Sequence, residues 1–152
     1  MVKRILVPID GSSTSERGLA QALELAHELK LMPHLVLLHA VEPPPTVAEA
    51  GFAGGWSDLG RALREQGEAL LARAKERCEA AGVGAETDLR EAAGRVADVV
   101  VERVRNRDCD LVVMGTHGRR GANRWVMGSD AEIVARHSPV PVLLVREPRP
   151  GE

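Results

Sequence analysis

Aromatic residues are scarce in this chain of 152 residues, and the chain has little net charge. The aromatic side chains are Phe52, Trp56 and Trp125, without any tyrosine, so the stacking platforms that bind single-stranded nucleic acid are essentially missing. The formal net charge of -2 also argues against a general electrostatic attraction to nucleic acid or to anionic lipid. We therefore expect neither a nucleic-acid-binding nor a membrane-binding protein.

Cysteines and long apolar runs are also scarce. The two cysteines, Cys78 and Cys109, have no CxxC spacing and no histidine pair at metal-ligand distance, so we interpret them as small buried apolar residues rather than reactive thiols. The apolar stretch near Met1 is too short for a secretory signal, and no later stretch approaches membrane-spanning length. These absences predict a cytoplasmic protein.

Length and composition favour one globular domain over residues 1–152. Hydrophobic residues make up 44% of the chain and charged residues 28%, which is enough to bury a core. Of the 20 basic residues, 17 are arginine. Arginine presents a rigid, fork-shaped set of donors that suits oxyanions, so the composition weakly favours a phosphate ligand.

Apolar residues alternate along the chain between strand-like runs and helical spacing. The pattern predicts strands at 5–9, 35–41, 85–91, 111–114 and 140–145, and helices from Ser13 to about Lys30, over 63–78, over 96–104, and from Ser129 to about His137. Residues 42–58 are rich in proline and glycine and predict an irregular loop. Such alternation is typical of a doubly wound α/β fold, a parallel sheet with helices on both faces. Strand 85–91 is polar, which favours a sheet edge.

This topology predicts a ligand site before any motif is considered. If the chain winds outward through strands two and three and then places strand four beside strand one, a crevice opens at the carboxyl ends of strands one and four. Asp10 and Gly115 both lie at that edge. Asp10 is predicted to contact the ligand, and its alternative role is to form a turn with Gly11.

The segment from Gly115 to Ser129 has the composition of an anion-binding loop. Its glycines let backbone N–H groups approach a phosphate, and the helix beginning at Ser129 adds unpaired donors and a positive dipole end. Arg119 is the first candidate for offsetting phosphate charge, with Arg120 and Arg124 as further candidates. The alternative is that these are turn glycines and solvated arginines. Neither GxxxxGK[ST] nor GxGxxG between a strand and a helix occurs, which disfavours a Walker-type NTPase and an ordinary NAD enzyme.

Three sequence blocks together resemble the universal stress protein family over nearly the whole chain. They are Gly115-x2-Gly118-x9-Gly128-Ser129, the start from Ile5 to Ser12, and the end from Pro141 to Val145. The spaced glycines resemble those of the family's ATP-binding branch. The resemblance implies a five-stranded parallel sheet of order 3-2-1-4-5, bound ATP or another adenine nucleotide, and Mg²⁺ or Mn²⁺ carried on the phosphates.

The resemblance also implies the site residues. Pro8 and Asp10 would border the adenosine, the backbone of Val41 would meet adenine, and residues 115–119 and 128–131 would hold ribose and phosphates. The full set of candidate ligand-binding residues is Pro8, Ile9, Asp10, Val41, Met114, Gly115, Thr116, His117, Gly118, Arg119, Gly128, Ser129, Asp130 and Ala131.

Asp130 departs from the family pattern, which usually has an apolar residue after the Gly-Ser pair. Its carboxylate could repel a phosphate, cap the helix, or coordinate a metal through water; we prefer capping. His39 is expected to be a hydrogen-bonded core histidine. His117 has no evident catalytic partner in the sequence, so no catalytic triad is predicted.

We therefore expect an adenine-nucleotide-dependent binding or signalling module rather than a fast catalyst. One alternative is slow or partner-stimulated ATP hydrolysis, for which His117 and Asp130 are the local candidates. Another is a nucleotide-free dimer that binds a partner. The apolar last strand, Val140–Val145, would be a sheet edge, and pairing it with a second copy would cover it. The resemblance likewise implies a homodimer through this strand.

Overall fold

The computed structural model describes residues 1–29, 32–43, 58–117 and 127–147. Within these ranges, strands and helices alternate along the chain. The elements are β1 Arg4–Pro8, α1 Ser13–Glu28, β2 His34–Val41, α2 Asp58–Ala80, β3 Ala85–Glu91, α3 Val96–Asn106, β4 Leu111–Gly115, α4 Ser129–His137 and β5 Val142–Val145.

The strands form one parallel sheet of order β3-β2-β1-β4-β5. In the register of the sheet, Ile5 of β1 lies beside Leu35 of β2 and Leu111 of β4. The strand order therefore reverses between β1 and β4. The α/β class and the predicted strand order are both confirmed.

Alternate residues of the central strands pack into two separate cores, as the period of two in a β-strand requires. Ile5 and Val7 pack with α1 and α2 on one face of the sheet. Leu6 and Val112 pack with α3 and α4 on the other face. Because both faces are covered by helices, β1, β2 and β4 are apolar at almost every position.

Helix α1 begins at Ser13, as predicted. Its cap is Ser12, whose Oγ accepts a hydrogen bond from the Ser15 N–H at 3.2 Å. The sequence also contains a capping-box spacing from Ser13 to Glu16, which would favour Ser13 as the cap instead. Helix α1 ends at Glu28. Asp58, which the proline- and glycine-rich composition assigned to a loop, is instead the first residue of α2. Residues 44–57 of that loop lie outside the described residues.

Strand β5 is shorter than predicted, because it begins at Val142 rather than Val140. Prolines at 139 and 141 have no N–H to donate to a ladder. The N–H of Val140 donates to Ser138 Oγ at 3.2 Å, within a local turn. The prediction of a strand over Val140–Val145 was therefore wrong for its first two residues.

The edge strand β3 has the predicted bounds and contains a buried carboxylate. Asp88 is 3% exposed and accepts hydrogen bonds from Arg90 at 2.7 Å and from Arg103 of α3 at 2.8 Å. Burial alone would raise the pKa of Asp88, but the hydrogen bonds and charges of the two arginines outweigh it and hold the pKa below its ordinary value. A charged residue that points inward helps prevent a sheet edge from pairing with other chains.

Both cysteines are buried, as predicted. Burial raises the pKa of the Cys78 and Cys109 thiols to about 11, so both stay protonated at neutral pH and are poor nucleophiles. None of the described helices combines the length and the apolar composition of a membrane span.

Candidate functional site

A cavity of about 440 Å³ opens at the carboxyl ends of β1, β2 and β4. The strand order reverses there, which is where open parallel sheets bind ligands. Helices α2 and α3 complete the wall, through Leu63 and Gln66 of α2 and through Val96 and Val100 of α3. The volume lies in the range of cavities that hold a small organic ligand.

The cavity brings together candidate residues from three distant parts of the sequence. Gly118 and Arg119 lie outside the described residues, as do Arg120 and Arg124. All the other candidates line the cavity, namely Pro8, Ile9, Asp10, Val41, Met114, Gly115, Thr116, His117, Gly128, Ser129, Asp130 and Ala131.

The turn between β1 and α1 is built around Asp10. Its Oδ1 accepts a hydrogen bond from the Ser12 N–H at 2.8 Å, and Gly11 has a φ of +80°, a conformation that costs glycine little. The N–H of Asp10 donates to Ser15 Oγ at 3.1 Å. The turn-forming role considered for Asp10 is thus present, and it fixes the carboxylate at the cavity wall.

Gly115 is required by packing at the end of β4. A Cβ at this position would lie 2.7 Å from the backbone carbonyl carbon and oxygen of Thr14, well inside van der Waals contact. Gly18 of α1 lies against the same end of β4, and a Cβ at Gly18 would lie 3.3 Å from the Gly115 nitrogen. The end of β4 can therefore approach α1 closely only because both residues lack side chains.

Gly128 is fixed by a hydrogen bond to the β4 side of the loop. Its N–H donates to the Thr116 carbonyl at 2.7 Å, and its φ of -61° is open to any residue. This N–H is therefore already bonded within the protein, so any contact of Gly128 with a ligand would have to come from its other atoms. Its lack of a side chain still matters, because a Cβ would lie 3.0 Å from the Thr116 oxygen.

The first turn of α4 presents backbone donors to the cavity. Gly128 is the N-cap and has no side chain with which to satisfy them. The N–H groups of Ser129, Asp130 and Ala131 have no acceptor inside the helix, and they lie at its positive dipole end. All three residues line the cavity, so this turn can bind an anion.

Asp130 caps a helix other than its own. Its Oδ1 accepts a hydrogen bond from the N–H of Ala97 at 3.1 Å, and Ala97 lies in the first turn of α3. The preferred capping role is present, but at the start of α3 rather than α4, and Asp130 still lines the cavity.

The two histidines at the cavity have structural contacts. His39 is 6% exposed, and its Nδ1 donates to the Ile9 carbonyl at 2.6 Å, which confirms the expected core histidine. The backbone carbonyl of His117 accepts a hydrogen bond from Thr14 Oγ1. The His117 ring Nδ1 lies 3.0 Å from Thr116 Oγ1.

Sequence reasoning missed part of the cavity wall. Because β2 pairs in parallel with β1, the residues at its carboxyl end could have been predicted to share the site. The contributions of α2 and α3 have no comparable signal, because they depend on how each helix packs across the sheet. The missed residues are Ser15, Leu38, His39, Ala40, Glu42, Leu63, Gln66, Val96 and Val100.

Comparison with known proteins gives consistent matches along the chain. The family model described as universal stress protein family matches residues 1–146. Universal stress protein MJ0531 of Methanocaldococcus jannaschii is 32% identical over 149 residues, which cover 98% of this chain and 85% of that protein.

Solved structures agree with these matches. A protein of the universal stress protein family from Burkholderia pseudomallei is similar at a TM-score of 0.76 and 32% identity, covering 96% of this chain and 97% of that one. A universal stress protein in complex with cAMP is similar at a TM-score of 0.66 and 27% identity, covering 95% of this chain and 97% of that one. The chain therefore belongs to the universal stress protein family.

Proposed function

We propose that the cavity binds an adenine nucleotide and that the protein acts as a nucleotide-dependent binding or signalling module. One observation carries the proposal: candidate residues from β1, β4 and the start of α4, predicted from separate blocks of sequence, line one cavity where the strand order reverses. The related protein that binds cAMP supports an adenine nucleotide as the class of ligand.

The geometry favours one orientation of the nucleotide. The phosphates would lie against the first turn of α4, where backbone N–H groups and a positive dipole end favour anions. The adenosine would then extend towards Asp10 and Val41 at the ends of β1 and β2. Its hydroxyl and amino groups can donate to the Asp10 carboxylate, and the apolar side chains of Leu63 and Val100 would cover the purine.

ATP with Mg²⁺ or Mn²⁺ is the form of the ligand that the sequence resemblance predicts. Among the described residues, no three His, Cys, Asp or Glu side chains are grouped so that they could hold a metal ion. In our proposal, the phosphates of the nucleotide therefore hold the ion, which would neutralise part of their charge.

Slow hydrolysis of ATP is the second candidate activity. The observation that favours it is that His117 and Asp130 both line the cavity near the start of α4. However, Asp130 already accepts from the Ala97 N–H, and the His117 ring lies against Thr116. These contacts support a binding role, because a general base must reach an attacking water.

We also propose that two copies pair through β5. Strand β5 lies at the end of the sheet order, and Leu143 is 39% exposed, although it is a large apolar residue. Edge strands with free backbone donors and acceptors tend to pair with another chain, and two-fold pairing would cover Leu143 in both copies.

The proposed function can be tested on the purified protein. Denaturing the native protein and separating the released small molecules by chromatography should reveal an adenine nucleotide. Calorimetric titration with AMP, cAMP and ATP, each with and without Mg²⁺, should show one site per chain, with GTP as the control ligand. The proposal fails if no adenine nucleotide is released and no titration gives heat while the fold is intact. Hydrolysis of bound ATP within minutes, lost in His117→Ala, would instead favour the enzymatic alternative.

A further inference from the structure

The described part of the cavity wall is acidic. In the described part of the chain, three carboxylates line it, those of Asp10, Glu42 and Asp130, and no lysine or arginine does. Among the described residues of this wall, the anion-binding groups are therefore the backbone N–H groups of the first turn of α4. Such groups supply only partial positive charge, so a carboxylate in the same helical turn should affect the relative affinities for ligands with one phosphate and with several.

Asp130 is that carboxylate, and its position is fixed. It is the second residue of α4, while its Oδ1 accepts from the Ala97 N–H in the first turn of α3. The side chain therefore bridges the N-termini of two helices. Turning the carboxylate away to solvent would break this hydrogen bond, so its negative charge stays beside the donors that a phosphate would use.

We infer that Asp130 is a specificity-determining residue that makes the site prefer nucleoside monophosphates over free nucleoside triphosphates. This inference rests on the proposed adenine-nucleotide site. Repulsion between like charges scales with the charge of the ligand, and a free triphosphate carries about two more negative charges than a monophosphate at neutral pH. The α4 donors attract both ligands, but Asp130 penalises the triphosphate more.

The test is the variant Asp130→Asn, titrated with AMP and with ATP in the presence of a metal chelator, and separately with ATP and Mg²⁺. Asparagine keeps the shape of the side chain and an oxygen that can accept from the Ala97 N–H, but it removes the charge. We expect ATP affinity to rise about tenfold and AMP affinity by about threefold or less. The ratio of AMP affinity to ATP affinity should therefore be smaller in Asp130→Asn than in the wild-type protein.

Glu132→Gln is the matched control. It removes the same charge from the same helix, but Glu132 is exposed, pairs with Arg136 at 2.9 Å and does not line the cavity. Its AMP and ATP affinities should both stay within about twofold of the wild type, because exposed charges are screened by solvent. A second variant, Asp130→Ser, keeps the test available if the asparagine variant does not fold.

Two results would overturn the inference while leaving the proposed function intact. One is an unchanged ratio of AMP to ATP affinity in both Asp130 variants. The other is a variant that loses affinity only for ATP with Mg²⁺, because Asp130 would then act on the metal ion rather than through repulsion. If the folded wild-type protein binds neither AMP nor ATP, the proposed function itself fails, and the inference fails with it.

Discussion

Ser129→Pro should weaken phosphate binding while leaving the free energy of unfolding nearly unchanged. Ser129 is the first residue of α4, where its N–H has no acceptor within the helix. Proline is well tolerated there because its φ is already helical. The preceding Gly128 has φ -61° and ψ 147°, which is the extended conformation that a residue before proline adopts.

The expected loss of affinity follows from the donors that the substitution removes. Proline deletes the Ser129 N–H and hydroxyl but leaves the N–H groups of Asp130 and Ala131 in the same turn. A hydrogen bond to a charged group contributes about 1.5–3 kcal/mol. Losing one such bond to phosphate should therefore weaken nucleotide binding by about 10- to 100-fold. The free energy of unfolding should change by no more than about 0.5 kcal/mol.

Calorimetric titration with AMP and urea unfolding of the same preparations would measure the two quantities. Ser129→Ala separates the hydroxyl from the N–H, since alanine keeps the backbone donor. Ser13→Pro is the matched control. Ser13 is also exposed and also the first residue of a helix, and Ser12 before it is extended at φ -74° and ψ 158°, but Ser13 does not line the cavity.

The reasoning about the α4 donors would be refuted if Ser129→Pro bound AMP as tightly as the wild-type protein. It would also be refuted if Ser13→Pro reduced the affinity as much as Ser129→Pro did, because the loss would then not come from donors at the cavity. A large drop in stability in Ser129→Pro alone would show that the N–H has a structural partner.

Three further predictions concern packing, charge and assembly. Gly115→Ala should lower the free energy of unfolding by about 1–3 kcal/mol, because its Cβ would clash with α1, whereas Gly94→Ala, whose Cβ would meet no atom within 4 Å, should have little effect in urea unfolding. Asp88→Asn should lower the free energy of unfolding by about 3 kcal/mol at pH 7. Asp98→Asn, in the exposed pair with Arg95, should lower it by less than about 1 kcal/mol. Because the folded-state pKa of Asp88 is lowered, its contribution to stability is present above the unfolded pKa of about 4 and is lost as the pH falls through the folded-state pKa. If Asp88→Asn were still less stable than the wild-type protein below the folded-state pKa, this reasoning would be contradicted. Leu143→Glu should convert a dimer to a monomer in sedimentation at micromolar concentration, and a monomeric wild-type protein would refute pairing through β5.

The fold was predictable because burial on both faces leaves a simple pattern in the sequence. Strands β1, β2 and β4 are apolar on successive residues, since helices cover the sheet on each side. Strand β3 has no such run, yet its predicted bounds agree with the structure. It pairs with β2 along its whole length, and its one buried carboxylate, Asp88, is neutralised by arginines of its own strand and of α3.

What the sequence could not determine involves contacts between distant segments or choices between similar side chains. Ser12 and Ser13 both have a hydroxyl that can cap α1, so the spacing to Glu16 alone could not decide between them. The hydrogen bond from Ala97 to Asp130 joins residues 33 positions apart. Only the packing of α3 beside α4 brings these two residues together, and a carboxylate after a Gly-Ser pair carries no local sign of it.

The spaced glycines show why a motif can predict the place of a site without predicting which atoms bind. Gly115 is needed because α1 lies against β4, and the Gly128 N–H is bonded to Thr116. The glycines therefore shape the loop, while the donors left for an anion belong to the residues that follow. A substitution at Gly115 should thus reduce nucleotide affinity and stability together. A substitution at Ser129 should reduce affinity alone, and this contrast distinguishes a framework residue from a binding residue.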